Sequence, residues 1–200
     1  MKKNKTALIS VFNKRGIAEF AKFLDDSGYE IIATKGTGKE LAKSKISFTS
    51  AEKLSRNPKG FDDCIKTISF RVEAGILFDR QNSTHTNQAK KLGIQRIDMV
   101  VCNFATFEKA VKEPVDFNIK NIDVGGPLMV RAAATNHKNV FVIVDPADYK
   151  KFSRAVVGGK ITDKLRRQLA ARAFAYTSSY DTKLVEYLNS LKDTETLGIH

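Results

Sequence analysis

The residues best suited to chemistry lie in Asn121-Ile122-Asp123-Val124-Gly125-Gly126-Pro127 and the run that follows through Arg131, Thr135 and Asn136 to His137. A carboxylate, two glycines and a proline precede Leu128, Met129 and Ala132 to Ala134, the layout of a ligand loop feeding a helix. Asp123 is an N-cap candidate, the glycines let the backbone turn or approach a ligand closely, and Pro127 suits the first helical position. Free N–H groups at such a helix start form an anion site. An ordinary capped helix would read the same way, so the neighbours decide. Ser10, Thr34 and Thr37 supply hydroxyls, Gly36 and Gly38 permit exposed N–H groups, and Lys14 and Lys66 supply positive charge. Together these suit a phosphate better than a metal. No nucleotide-hydrolysis phosphate loop and no dinucleotide fingerprint is present.

The elements that must position these residues alternate strand and helix. Strands are expected at Thr6–Val11, Tyr29–Ala33, Ile46–Thr49, Ile97–Cys102 and Asn139–Val144. Ile17, Phe20, Ala21 and Leu24 recur at helical spacing. Thr34–Gly38 reads as a small polar loop, Glu40–Ser44 as a helix start, and Asn57–Phe70 as irregular around Pro58 and Gly60. A short helix is expected over Asn87–Leu92, and one or two amphipathic helices over Ile161–Leu191. Unbroken apolar strands between helices imply an α/β fold with a mostly parallel sheet covered by helices. Ligands of such folds collect at the carboxyl ends of the strands. Ser10–Gly16, Thr34–Gly38, Cys102-Asn103 and Asp123–Gly126 should converge there as a phosphate-ligand site.

Composition narrows the class. Two hundred residues, 42% hydrophobic and 28% charged, fit one large globular domain or a domain with an appendage. Cys64 and Cys102 make neither a disulfide framework nor a zinc pattern, and Cys64 is read as inert. No apolar run is long enough for a signal peptide or a membrane span, so a cytoplasmic protein is expected. The formal net charge of +12 ranks a solvated basic surface first, an anionic small-molecule ligand second and nucleic acid third. The basic residues are spread along the chain, and no aromatic–arginine alternation suggests base stacking. His137 reads as a structural hydrogen-bonding residue near a helix end; His85 and His200 are no ligand candidates. Leu169, Ala173 and Tyr176 form a stripe of core or dimer surface.

Over nearly its whole length the chain resembles the IMP cyclohydrolase domain of the bifunctional purine-biosynthesis enzyme that also carries AICAR transformylase activity. The carriers are Ala7-Leu-Ile-Ser10-Val with Lys14 and Gly16, Ala33-Thr34-Lys35-Gly36-Thr37, Lys66-Thr67, Ala74-Gly-Ile-Leu77, Val101-Cys-Asn103, Ile122-Asp-Val-Gly-Gly126, Arg131-Ala-Ala-Ala134, Asn136-His137 and Val144-Asp-Pro-Ala-Asp-Tyr149. The resemblance implies a methylglyoxal-synthase-like, Rossmann-type sheet with additional C-terminal helices. It also implies a homodimer and a reaction that needs no metal or cofactor. The implied activity is ring closure of formyl-AICAR ribotide to IMP with loss of water. Ser10, Lys14, Thr34, Gly36 and Thr37 match the family's phosphate and ribose loops. Lys66 and Thr67 match a Lys-Thr pair facing the reacting base. Asn103, Val124, Gly125 and Gly126 match the base-binding side. Asp123 would be base or orienter, and Lys66 electrostatic stabiliser and acid. Residues 1–200 are then expected to form a single cyclohydrolase-like domain, the transformylase domain being absent.

Departures from the family pattern fall on the chemistry. Cys64 stands for an arginine, Ser69 and Glu73 for histidines, Ala105 for a tyrosine and Thr135 for a lysine, while Arg15 and Lys35 add charge near the phosphate loops. Two readings follow: a cyclohydrolase with a reduced catalytic set, or a catalytically impaired purine-nucleotide-binding or regulatory protein of the same fold. Methylglyoxal synthase, which shares the fold but lacks the Asp123–His137 segment, is a distant third.

Overall fold

The computed structural model describes residues 3–58, 60, 65, 67–105 and 122–191. Lys66, Cys64 and His200 lie outside the described residues. Five strands form one parallel sheet: β1 (Lys5–Val11), β2 (Tyr29–Ala33), β3 (Thr49–Ser50), β4 (Met99–Asn103) and β5 (Phe141–Ile143), in the order β3-β2-β1-β4-β5. Eight helices surround it among the described residues: α1 (Ile17–Asp26), α2 (Lys35–Lys43), α3 (Ala51–Ser55), α4 (Phe70–Leu77), α5 (Ser83–Lys91), α6 (Gly125–Thr135), α7 (Ala147–Val157) and α8 (Asp163–Ser190).

Both faces of the sheet are dry, because alternate residues of each strand enter different cores. Leu8, Ile32, Val100 and Val142 point into one, with Val72 and Ile76 of α4 and Met129, Val130 and Ala133 of α6. Ala7, Ile9, Ile31, Val101 and Ile143 point into the other, with Ile17, Phe20 and Leu24 of α1 and Phe152 of α7. The four apolar positions expected on α1 are all buried. The 28-residue helix α8 packs along β5 and serves both cores, through Leu165 and Leu169 on one side and Ala170, Ala173 and Tyr180 on the other. It covers the sheet edge that β5 would otherwise leave open.

Several local expectations need correction. The segment over Thr34–Gly38 is no loop: Thr34 is the extended N-cap residue and Lys35 opens α2. Buried Leu41 anchors a segment whose two glycines disfavour helix, a case of packing overriding propensity. The strand expected at Ile46–Thr49 reduces to Thr49–Ser50. Helices α3 and α4 went unrecognised, although Val72 and Ile76 stand one helical turn apart and Ser69 accepts the Val72 N–H at 3.1 Å as a cap. Helix α5 starts at Ser83, earlier than its apolar residues suggest, because the Asn82 side chain caps Thr84 and His85. Pro127 is the third residue of α6 rather than the first.

Candidate active site at the strand-order reversal

Strands β2 and β3 extend the sheet to one side of β1, and β4 and β5 to the other, so the strand order reverses between β1 and β4. A ligand crevice is expected at their carboxyl ends. Val11 and Asn103 are the paired last residues of the two strands. Beyond them the chains stay joined: Phe12 donates to the Asn103 carbonyl at 2.9 Å, and Asn13 N–H donates to Asn103 Oδ1 at 2.7 Å. Asn103, only 7% exposed, therefore shapes the β1 loop.

On the β2 side, Thr34 Oγ1 donates to Ser10 Oγ at 3.2 Å. Thr37 Oγ1 accepts from Val11 N–H at 3.0 Å and is almost fully buried. Thr37 thus ties the start of α2 to the end of β1, and Ser10 and Thr34 share the mouth. The first N–H to bond inside α2 is that of Gly38, which donates to the Thr34 carbonyl at 2.7 Å. The N–H groups of Lys35, Gly36 and Thr37 precede it and have no intrahelical acceptor. Gly38 does not present a free N–H as expected; it makes room for Phe48, whose ring lies 2.5 Å from where a β-carbon would stand. Lys14 Nζ donates to the Val11 carbonyl. Burial lowers the Lys14 pKa from its ordinary value, while Glu40 raises it less. Arg15 and Lys35 are exposed nearby in sequence, at the two loop ends.

The other wall begins at α6. The N-cap residue of α6 is Val124 and not Asp123 as expected; Asp123, one residue earlier, accepts the Gly126 N–H through Oδ1 at 2.8 Å and so answers one free donor of the helix start, while the residue itself stays exposed. Gly125 and Gly126 are helical with no left-handed backbone; their need is space. A β-carbon on Gly125 would stand 2.7 Å from Thr67 Oγ1, and one on Gly126 2.9 Å from both Asp123 Oδ2 and the Phe104 ring. Thr67 is thereby placed against the start of α6. Val124 is exposed beside Asp123. Beneath them lies Cys102, whose thiol contacts the Gly126 carbonyl at 3.9 Å and is pushed far up by burial and then by Asp123. All four expected segments are therefore linked at the carboxyl ends of β1 and β4. Among the described residues no cluster of His, Cys, Asp and Glu could hold a metal ion.

Three features escaped the sequence reading. Tyr180 of α8 accepts the Asp123 backbone N–H at 2.9 Å, and Tyr176 accepts from Phe104 N–H at 3.1 Å while donating to its carbonyl at 3.0 Å. The stripe through Leu169 and Ala173 is core, and its continuation reaches the site. Glu73, in the first turn of α4, buries both carboxyl oxygens without a hydrogen-bond partner, and burial raises its pKa to about 7. His137 behaves as expected: its Nδ1 lies 3.0 Å from the Ala134 carbonyl at the end of α6.

Comparison with known proteins agrees with this architecture. Residues 16–128 match the model of the MGS-like domain, and residues 133–199 match that of the AICARFT/IMPCHase bienzyme. The chain belongs to the MGS-like family. Within it, the chain is 41% identical over 195 residues to the bifunctional purine biosynthesis protein PurH of Cutibacterium acnes, covering 96% of this chain and 38% of that protein. PurH of Ruminiclostridium cellulolyticum is 42% identical over 198 residues, covering 97% of this chain and again 38% of the relative. The chain thus spans under two-fifths of the length of these curated relatives. The crystal structure of ForH superposes with a TM-score of 0.80 at 30% identity, covering 91% of this chain and 97% of that one. The MGS-like match is in keeping with the all-parallel sheet flanked by helices. No helix among the described residues is long and apolar enough to cross a membrane.

Proposed function

We propose that the chain is an IMP cyclohydrolase-like enzyme that closes formyl-AICAR ribotide to IMP and water. The carrying observation is that an α2 N-terminus open to anions and an α6 N-terminus that presents the Asp123 carboxylate both lie at the carboxyl ends of the central strands. The likeness to PurH supports the same reading. The nucleotide phosphate sits against the Lys35, Gly36 and Thr37 N–H groups, with Ser10, Thr34 and Lys14 at its ribose side. Thr67, Asn103 and Val124–Gly126 receive the base.

In the reaction the carboxamide nitrogen attacks the formyl carbon on the same molecule. A carbon–nitrogen bond forms, the carboxamide nitrogen loses one proton and the formamide nitrogen the other, and the former formyl oxygen leaves as water. Holding both groups in a near-attack arrangement removes the entropic cost of their encounter. Asp123 accepts a proton from the amide nitrogen, which is a weak nucleophile while protonated. Lys66 stabilises the tetrahedral oxygen and protonates it as it departs. The active form is a homodimer.

A specific observation favours a second reading. Ala105 and Thr135 bring no titratable group to their positions, so a nucleotide-binding relative with little turnover fits the same geometry. IMP formation from synthetic formyl-AICAR ribotide, followed by absorbance, separates the two. The enzyme reading expects turnover above background that falls in Lys66→Ala and Asp123→Asn. Background rate with measurable IMP binding would establish the binding protein, and neither turnover nor binding would end both.

A further inference from the structure

The C-terminal helix α8 touches the site at one place of consequence. Tyr180 lies 7% exposed, its ring edge-on to Phe104 with centroids 4.7 Å apart, and its phenol oxygen accepts the Asp123 N–H at 2.9 Å. Phe104 in turn presses on the start of α6 where Gly126 leaves room, and its own backbone is held through both polar groups by Tyr176, one helical turn before Tyr180. Asp123 is thus fixed from two directions. Its carboxylate Oδ1 is held by Gly126 N–H and its backbone by Tyr180, while the residue remains exposed to the crevice. An aspartate at a chain turn with only the first of these bonds could still swing about its backbone.

We propose that Tyr180 is a positioning residue for Asp123, so that α8 works as part of the site and not only as cover for the sheet edge. This inference rests on the cyclohydrolase reading for its kinetic consequence, but not for its structural one. A proton acceptor displaced by a fraction of an ångström loses alignment with the amide nitrogen while substrate binding through the phosphate is untouched. The loss therefore falls on kcat and spares KM.

The test compares Tyr180→Phe with Thr177→Val in the full chain. The first keeps the ring and removes the oxygen; the second removes a fully buried hydroxyl that donates to Phe174 O on the same helix at 3.0 Å. Tyr180→Phe is expected to lower kcat about tenfold, the rate equivalent of one hydrogen bond, with KM within about twofold. It should also speed hydrogen exchange at the Asp123 amide, while Thr177→Val leaves kcat and that amide as they are. Wild-type kcat in Tyr180→Phe, a loss confined to KM, or an equal kcat loss in Thr177→Val would overturn the proposal. If the wild-type protein neither turns over nor binds IMP, the cyclohydrolase reading falls separately. Amide exchange then decides alone: acceleration in Tyr180→Phe keeps the tether, and no change ends it.

Discussion

The N-termini of α2 and α6 both lie at the carboxyl ends of the central strands, and their free N–H groups are answered differently. At α2 the N-cap Thr34 hydroxyl bonds the Thr37 hydroxyl and takes no helix N–H, so the N–H groups of Lys35, Gly36 and Thr37 stay available, and Lys35 adds charge. The positive end of the helix dipole is left for a ligand to neutralise. At α6 the same positive end is already answered by Asp123, which takes the Gly126 N–H, and Pro127 supplies no N–H at all. What that terminus offers is a carboxylate. In the proposed reaction one helix start holds the anion and the other accepts the proton.

The sharpest way to break this comparison is Asp123→Asn. The amide oxygen can still accept the Gly126 N–H, so that bond survives and stability should change by no more than about 0.5 kcal/mol. The proton acceptor is lost, and kcat should fall by about 10²–10⁴-fold with KM little changed. Steady-state kinetics beside a thermal melt would check both halves. A fall in melting temperature without a fall in kcat would make Asp123 a support for the helix start and nothing more.

Steric demand distinguishes the two starts next. A β-carbon on Gly125 would stand 2.7 Å from Thr67 Oγ1. Gly125→Ala must separate Thr67 from α6, at a cost of about 1–3 kcal/mol in chemical denaturation. Turnover should fall with it, because Thr67 and Asp123 lose their common frame.

Both sides carry a further carboxyl: Glu40 on α2 pairs with Lys43, whereas Glu73 is buried without a partner. Helix α4 runs parallel to α6: Thr67 meets Gly125 just before their starts, and Asn136 donates to the Ile76 carbonyl at 2.7 Å near their ends. Glu73 lies in the first turn of α4, with a pKa raised from 4.5 to about 7 by burial. Between those values the folded protein holds a proton that the unfolded chain has released, so stability falls as pH rises across that window and levels off above it. Glu73→Gln should remove this slope and be more stable than wild type above pH 7, by about 1–2 kcal/mol. Melting temperatures from pH 4.5 to 8 would show it; parallel curves for the two proteins would mean the carboxyl is not titrating across that range.

These contrasts mark how far the sequence could be read. The parallel sheet was legible because its strands are continuous apolar runs: the core strand at Tyr29–Ala33 has the expected bounds, and the four buried positions of α1 sit at the expected spacing. That the segments holding Ser10, Thr34, Asn103 and Asp123 would gather followed from their places just after strands or at a helix start; the strand order itself came only with the structure. Helix α2 was illegible because Lys35-Gly-Thr-Gly38 carries no helical signal of its own; the turn is enforced by Leu41 in the core and Phe48 over Gly38. Tyr180 was illegible for a different reason. It lies 57 residues from Asp123, and nothing in the spacing of α8 says which loop a buried hydroxyl will meet.

The smallest effect tests the α2 half of the comparison. Gly36 is helical, and a β-carbon there would meet nothing within 4 Å. Gly36→Ala should therefore stabilise the fold by about 0.5 kcal/mol, since alanine loses less backbone freedom on entering a helix. Its methyl group does not remove any N–H from the helix start. If the phosphate is held by those N–H groups from outside the helix, an added methyl at the approach raises KM several-fold while kcat holds. A Gly36→Ala protein with higher stability and unaltered KM would place the phosphate elsewhere and leave α2 an ordinary helix, with its free N–H groups answered by water. The same substitution logic gives the opposite sign at Gly125, where the space is already taken by Thr67.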